Sequence, residues 1–250
     1  MNTIIILIVI IIIIIIILLS GRLSERYSNI NTIVNYNHDT ENDRNIAMNG
    51  IDLKYYINFA FHYRLINLFE IVIKKLDDKN IDYFLIGGGL IGYYRHNNGF
   101  IPWDDDIDIG VMEEDRDKLH NAINEIIKEN NTIILGIHDI DKVLIKDNNK
   151  NPIQIDIFYF KFLEDKKHYN FNMNKLRDIW PNQHILKEEL YPLQTVPFIL
   201  YDIYGNKFKE IKIKIPNQSK IYLDRCYPNW ETVKKPTHAH SEYMKLMYTV

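Results

Sequence analysis

Cysteine is all but missing: Cys226 is the single one in the chain. An internal disulfide is therefore excluded, and so is a zinc site built from thiolates. A basic surplus is missing too. Lys and Arg number 30 against 33 Asp and Glu, for a net charge of −3 and a pI of about 6.3. Such a chain advertises no polycationic surface, and no nucleic-acid partner is expected. No internal repeat is visible. The nine histidines show no metal-ligand spacing; His238-Ala-His240 alternates, but close to the C-terminus.

What the chain does have begins with an apolar run. Ile4 to Leu19 contains only Ile, Leu and Val. As a helix it would span roughly 24 Å, just under a hydrocarbon core of about 30 Å. The charged flank of a signal peptide is lacking, and Leu19-Ser20-Gly21 is a poor cleavage site. The expected organisation is a signal-anchor helix over 1–21, a polar stalk over 22–50 rich in Asn, Asp, Ser and Thr, and one domain over 51–250. That places the protein as single-pass in a membrane. The sequons Asn130-Asn-Thr132 and Asn217-Gln-Ser219 have meaning if the domain lies on the endoplasmic reticulum or Golgi lumenal side.

Periodicity predicts a helix from Leu53 to Leu76, a strand at Tyr83–Ile86 and a short helix at Leu90–Arg95 stopped by His96-Asn-Asn-Gly99. A strictly alternating strand follows at Ile107–Met112, then a helix from Glu113 to Glu129. Apolar runs at 132–137 and 142–146, and β-like alternation at Ile153–Phe160 and Lys209–Ile215, add strands. The remainder reads as turns and short helices punctuated by Pro181, Pro192, Pro197, Pro216, Pro228 and Pro236. The fold class is α+β (or α/β) with a mixed sheet.

The stretch Ile101-Pro-Trp-Asp-Asp-Asp-Ile-Asp-Ile-Gly110 places like charges inside an apolar run. Side chains alternate across a strand, so Asp104, Asp106 and Asp108 share one face and Ile107, Ile109 and Val111 the other. Asp106 and Asp108 would stand about 6–7 Å apart at Cα. Two carboxylates so placed repel unless a cation bridges them, and Mg²⁺, a hard oxygen-seeking ion, suits such a pair. An EF-hand loop is a poor alternative, because Ile109 stands where that loop's turn needs Gly.

Just upstream, Gly87-Gly-Gly-Leu-Ile-Gly92 matches a dinucleotide fingerprint, but the helix after it is too short for a βαβ crossover. A glycine turn that opens a helix still exposes backbone N–H groups able to bind phosphate oxygens. A further strand acid is Asp156, within Ile155-Asp-Ile-Phe158. Glycine turn, Asp-x-Asp strand and later strand acid are the parts of a nucleotidyltransferase-type site.

The block from Gly87 through Arg95-His96 and Gly99-Phe-Ile-Pro-Trp-Asp-Asp-Asp-Ile-Asp108 resembles the core of the LicD/fukutin family. Asp156-Ile-Phe158, Leu186-Lys-Glu-Glu-Leu-Tyr-Pro192 and the Tyr222, Tyr227 and Trp230 region extend the resemblance. It implies a nucleotidyltransferase-like mixed sheet with flanking helices. It implies metal-dependent transfer of a phospho-alcohol group, phosphocholine- or ribitol-phosphate-like, from a CDP-linked donor to a glycan hydroxyl, with release of CMP. Carried over, Asp106, Asp108 and Asp156 hold Mg²⁺ (or Mn²⁺), with Asp156 an alternative proton acceptor. Gly87, Gly88 and Gly89 cradle the diphosphate, Arg95 neutralises it, Trp103 stacks or caps, and Asp104 and Asp105 orient ligands. Gly89 departs from the family, which usually carries Thr or Ser there. Two other readings stand beside this one: a catalytically inactive membrane-tethered glycan- or nucleotide-binding module, and a nucleotidyltransferase that releases pyrophosphate.

Overall fold

The computed structural model describes residues 59–101, 104–146, 153–202 and 205–232. It opens with α1 (Phe59–Asp78), in which Leu65, Phe69, Val72 and Leu76 line up as a buried stripe. The helix stops where Asn80 turns left-handed at φ 51°. Ile81 N then donates to Leu76 O at 2.9 Å and Asn80 N to Asp77 O at 2.9 Å, the paired bonds that close a helix end. The part of the expected helix before Phe59 lies outside the described residues.

Next come β1 (Tyr83–Leu85), α2 (Gly87–Arg95), β2 (Asp106–Met112), a 3₁₀ turn at Glu113–Asp115 and α3 (Arg116–Glu129). Then follow β3 (Ile133–Gly136), β4 (Asp141–Ile145), β5 (Gln154–Leu163), β6 (His168–Phe171), α4 (Asn174–Ile179), β7 (Ile185–Leu186) and α5 (Lys187–Leu190). The chain continues through β8 (Gln194–Tyr201), β9 (Lys207–Ile215) and α6 (Ser219–Cys226).

Seven strands form one mixed sheet in the order β1-β2-β5-β4-β3, with β6 beside the far half of β5 and β7 beside β6. The β2–β5 pair is parallel and the other pairs are antiparallel. Ile107, Ile109, Val111, Ile155 and Ile157 are fully buried on the face that α1 and α3 cover. On the other face, rings close the layer: Phe160 meets Phe171 at 4.9 Å and Phe84 at 5.2 Å. A side chain at Gly110 would run into Phe84, so only Gly fits between those rings. The β8–β9 hairpin is held on α1 by ion pairs, Lys209 to Glu70 at 2.6 Å and Lys214 to Asp77 at 2.8 Å.

Several expectations are corrected. The short helix begins at Gly87, not Leu90, so the glycines are its first turn. Strands β6, β7 and β8 lie where only turns and short helices were expected. The single-pass membrane placement is also corrected: no helix among the described residues is long and apolar enough to cross a membrane. The run at 4–19 and the stalk, on which the expected organisation rested, lie outside those residues.

Candidate active site

The parallel register sets Asp106 opposite Gln154 and Asp108 opposite Asp156. Residues in register on neighbouring strands project from the same face. Asp106, Asp108 and Asp156 therefore converge, and each offers a carboxylate oxygen within 4.8 Å of the others. Their neighbours Ile107, Ile109, Ile155 and Ile157 are locked in the core, which makes the acids part of a rigid platform.

Asp156 is 8% exposed. Its Oδ2 accepts a hydrogen bond from Lys142 Nζ at 2.6 Å. Its Oδ1 is buried without a hydrogen-bond partner among the described residues. A buried acceptor left unsatisfied costs on the order of 1–3 kcal/mol, so this atom points to something the described residues do not supply. Burial, then the charges of Asp106, Asp104 and Asp156, push the Asp108 carboxyl well above its usual range; Lys142 offsets this only in part. Burial also raises Asp156, against the pull of Lys142. Crowded carboxylates with one shared ammonium and one orphaned oxygen fit a hard divalent cation.

A second group abuts the first. Asp104, Asp105 and Asp106 also bring carboxylate oxygens within 4.8 Å of one another. The loop that carries them is pinned by His62, whose Nε2 donates to Asp104 O at 2.7 Å. The His62 ring stacks on Phe100 at 4.6 Å. Burial lowers the His62 pKa to about 4, so the ring is neutral at pH 7 and its Nε2 carries the proton.

The glycines press directly on these acids. Gly87 has φ +57°, and a side chain there would run into the Asp108 carboxylate; one at Gly88 would run into Asp104 Oδ2. Larger residues would fill the space between helix and acids. The cap residue of α2 is Ile86, which makes no side-chain bond to the first-turn amides. The amide end of a helix beside this space favours anions such as phosphate. Gly89 faces elsewhere: a side chain there would start 2.8 Å from Leu85 Cδ1, and Leu85 is fully buried. The strand after α2 runs antiparallel to β1, so the glycine motif does not open a βαβ unit.

Arg95 does not stand over the acids with a free guanidinium. Its Nη1 donates to Trp230 O at 2.8 Å and Thr232 O at 3.3 Å, and its Nε to His96 Nε2 at 3.1 Å. It ties the end of α2 to the chain after α6. Burial lowers its pKa while the Asp104 charge works the other way, so the acidic loop remains within electrostatic reach. Trp103 lies outside the described residues. Lys142 and His62 are site residues that sequence reasoning missed. The Asp141–Ile145 run gives no sign of which strand it joins, and His62 lies 42 positions from the carbonyl it holds.

The LicD/FKTN/FKRP nucleotidyltransferase domain matches residues 80–204. An uncharacterized protein of Rickettsia prowazekii is 27% identical over 198 residues, which cover 79% of this chain and 66% of that protein. An uncharacterized protein of Rickettsia typhi is 30% identical over 179 residues, 70% of this chain and 49% of its own length. The chain thus spans about half to just under two thirds of these relatives. Among solved structures, the antibiotic-resistance factor ANT(2'')-Ia is similar at 13% identity with a TM-score of 0.36, covering 75% of this chain and 84% of that one. Terminal uridylyl transferase 4 from Trypanosoma brucei is similar at 14% identity and 0.27, over 39% and 30%. At those scores neither adds to the reading. The domain match covers half of the sequence, and on that ground the chain belongs to the LicD/FKTN/FKRP family, which supports a transferase-type role in nucleotide or phospho-group transfer.

Proposed function

We propose that the protein transfers a phospho-alcohol group, phosphocholine- or ribitol-phosphate-like, from a CDP-linked donor to a glycan hydroxyl and releases CMP. The observation that carries this reading is the convergence of Asp106, Asp108 and Asp156 on one face, with Asp156 Oδ1 unsatisfied among the described residues, beside a helix whose first turn is glycine. In the reaction the acceptor oxygen bonds to the phosphorus that carries the alcohol. The bond from that phosphorus to the bridging oxygen breaks, and CMP departs.

Asp106, Asp108 and Asp156 would hold Mg²⁺ or Mn²⁺, which when bound offsets the charge that builds on the phosphoryl oxygens. The amides at the start of α2 receive the diphosphate, and Gly87 and Gly88 leave room for it. Asp104 and Asp105, on the loop pinned by His62, orient the donor. The acceptor's proton passes to one of the surrounding carboxylates acting as general base.

Gly89 gives little support to an inactive binding module, because a side chain at that position would start against Leu85 on the core side. The test is a product assay on the full chain with CDP-choline and CDP-ribitol, with Mg²⁺ and with a chelator. CMP release that needs both metal and acceptor supports the proposal. Pyrophosphate release from a nucleoside triphosphate instead would indicate a nucleotidyltransferase. Donor binding without turnover would indicate a binding module.

A further inference from the structure

Lys142 is placed with unusual definiteness for a lysine. Its backbone lies directly across the β4–β5 ladder from Asp156, where cross-strand Cβ atoms are about 4.5–5.5 Å apart. Its ammonium sits 2.6 Å from Asp156 Oδ2. The lysine side chain is 33% exposed, so the pair is partly shielded by protein. The other oxygen, Oδ1, is buried without a hydrogen-bond partner among the described residues. A carboxylate free at both oxygens can chelate a cation through two bonds. One whose Oδ2 already accepts from an ammonium can give only one.

That difference separates cations by size. Ca²⁺ takes six to eight oxygens at about 2.3–2.6 Å and readily uses carboxylates through both oxygens, whereas Mg²⁺ demands a near-octahedral shell at about 2.0–2.1 Å. We infer that Lys142 is a positioning residue that restricts Asp156 to one-oxygen ligation and so biases the acidic site toward small octahedral cations and against calcium. The inference rests on the cation site proposed above and adds what selects the ion.

Removal of the lysine has two consequences, and they are separable. Loss of a positive charge strengthens binding of every divalent cation by a similar factor, because all carry the same charge. Release of Oδ2 favours only the ion that can use it. The ratio of Ca²⁺ to Mg²⁺ affinity therefore reads the geometric role with the charge effect cancelled.

The experiment uses the full chain. Mn²⁺ binding is followed by the loss of its free-ion electron paramagnetic resonance signal, and Mg²⁺ and Ca²⁺ are titrated as competitors. In Lys142→Met the ratio moves toward Ca²⁺ by on the order of fivefold or more, and in Lys142→Arg, which keeps a donor, by less than about twofold. Should the Met variant fail to fold, Lys142→Gln takes its place, and a smaller shift in the same direction is expected. An unchanged ratio in a folded variant that still binds Mn²⁺ overturns the inference while the cation site stands. Failure of both neutral variants to fold marks Lys142 as structural and also overturns it. If the wild type binds no Mn²⁺, or Asp108→Ala binds it equally well, the cation site itself falls, and this inference with it.

Discussion

Two buried aspartates on adjacent strands have opposite fates. Asp141 on β4 is fully buried, and both its oxygens are taken. Oδ1 accepts from Arg116 Nη2 at 3.1 Å and His138 N at 2.9 Å; Oδ2 accepts from His120 Nε2 at 2.5 Å and the Tyr159 hydroxyl at 2.7 Å. Burial alone would raise its carboxyl, but these bonds and the Arg116 charge hold it below the usual range. The Arg116 guanidinium also lies 4.4 Å over the Tyr159 ring. Asp156, one strand away, has among the described residues one cationic partner and one oxygen without a hydrogen bond, and a raised pKa. Register sets Asp141 opposite Ile157 and Lys142 opposite Asp156, so the two acids occupy opposite faces of the sheet. An acid that serves the fold is saturated by the fold. An acid left partly unsatisfied beside two more carboxylates is held for something that arrives from outside.

The contrast breaks most visibly at the platform. Asp106→Ala or Asp108→Ala is expected to lower CMP release by about 10³-fold or more with the fold kept; circular dichroism alongside the product assay checks both parts. Asp141→Ala should do the reverse. It leaves the buried Tyr159 hydroxyl and the partly exposed Arg116 and His120 without this acceptor and costs about 1–3 kcal/mol, read as a lower urea midpoint. The cation affinity of the folded fraction stays unchanged.

A subtler change sharpens the comparison. A carboxylate whose folded pKa lies above its unfolded value costs stability as pH rises past the unfolded value. Asp108 is in that position. Asp108→Asn should therefore raise the melting temperature of the metal-free protein near pH 7 while it ends transfer. Mn²⁺ should raise the melting temperature of the wild type and leave the variant nearly unmoved. Equal cation shifts in both proteins would contradict the assignment.

The smallest effect concerns the histidines. Burial lowers His62 and His96 to about 4 from an ordinary 6.5, and for His96 the Arg95 charge adds to it. The unfolded chain then binds more protons than the folded one between those values. The stability these rings contribute above pH 6.5 should fall as the pH is lowered toward 4, and His62→Gln should remove its share of that slope. Asp108 contributes the opposite trend, so the readout is the difference between variants: a slope that His62→Gln leaves unchanged would show that this ring is not buried in neutral form.

Much of this platform was legible in the sequence for a physical reason. Alternation of Asp with Ile states both that β2 is a strand and which face its acids occupy. What could not be read was the partner strand. The parallel register that brings Asp156 to Asp108 and the antiparallel one that brings Lys142 to Asp156 are properties of the folded sheet. Arg95 is a second instance. The family resemblance implied a phosphate contact for it, yet its guanidinium bonds to carbonyls at 230 and 232, which no local pattern announces. Strand β8 was hidden by Pro197, which ordinarily argues against a strand; beyond β9, β8 is joined through Ile199, whose N–H donates to Asn98 O at 2.7 Å, and Pro197 sits on a sparsely bonded edge that tolerates it. Strands β6 and β7, with four and two residues, are too short to show a period.

The most direct measurement is an anomalous difference map from crystals of the protein soaked in Mn²⁺. The account predicts a peak within bonding distance of Asp106, Asp108 and Asp156 Oδ1, with Lys142 still on Oδ2. A map with no peak there, or with manganese bound only elsewhere, would contradict it.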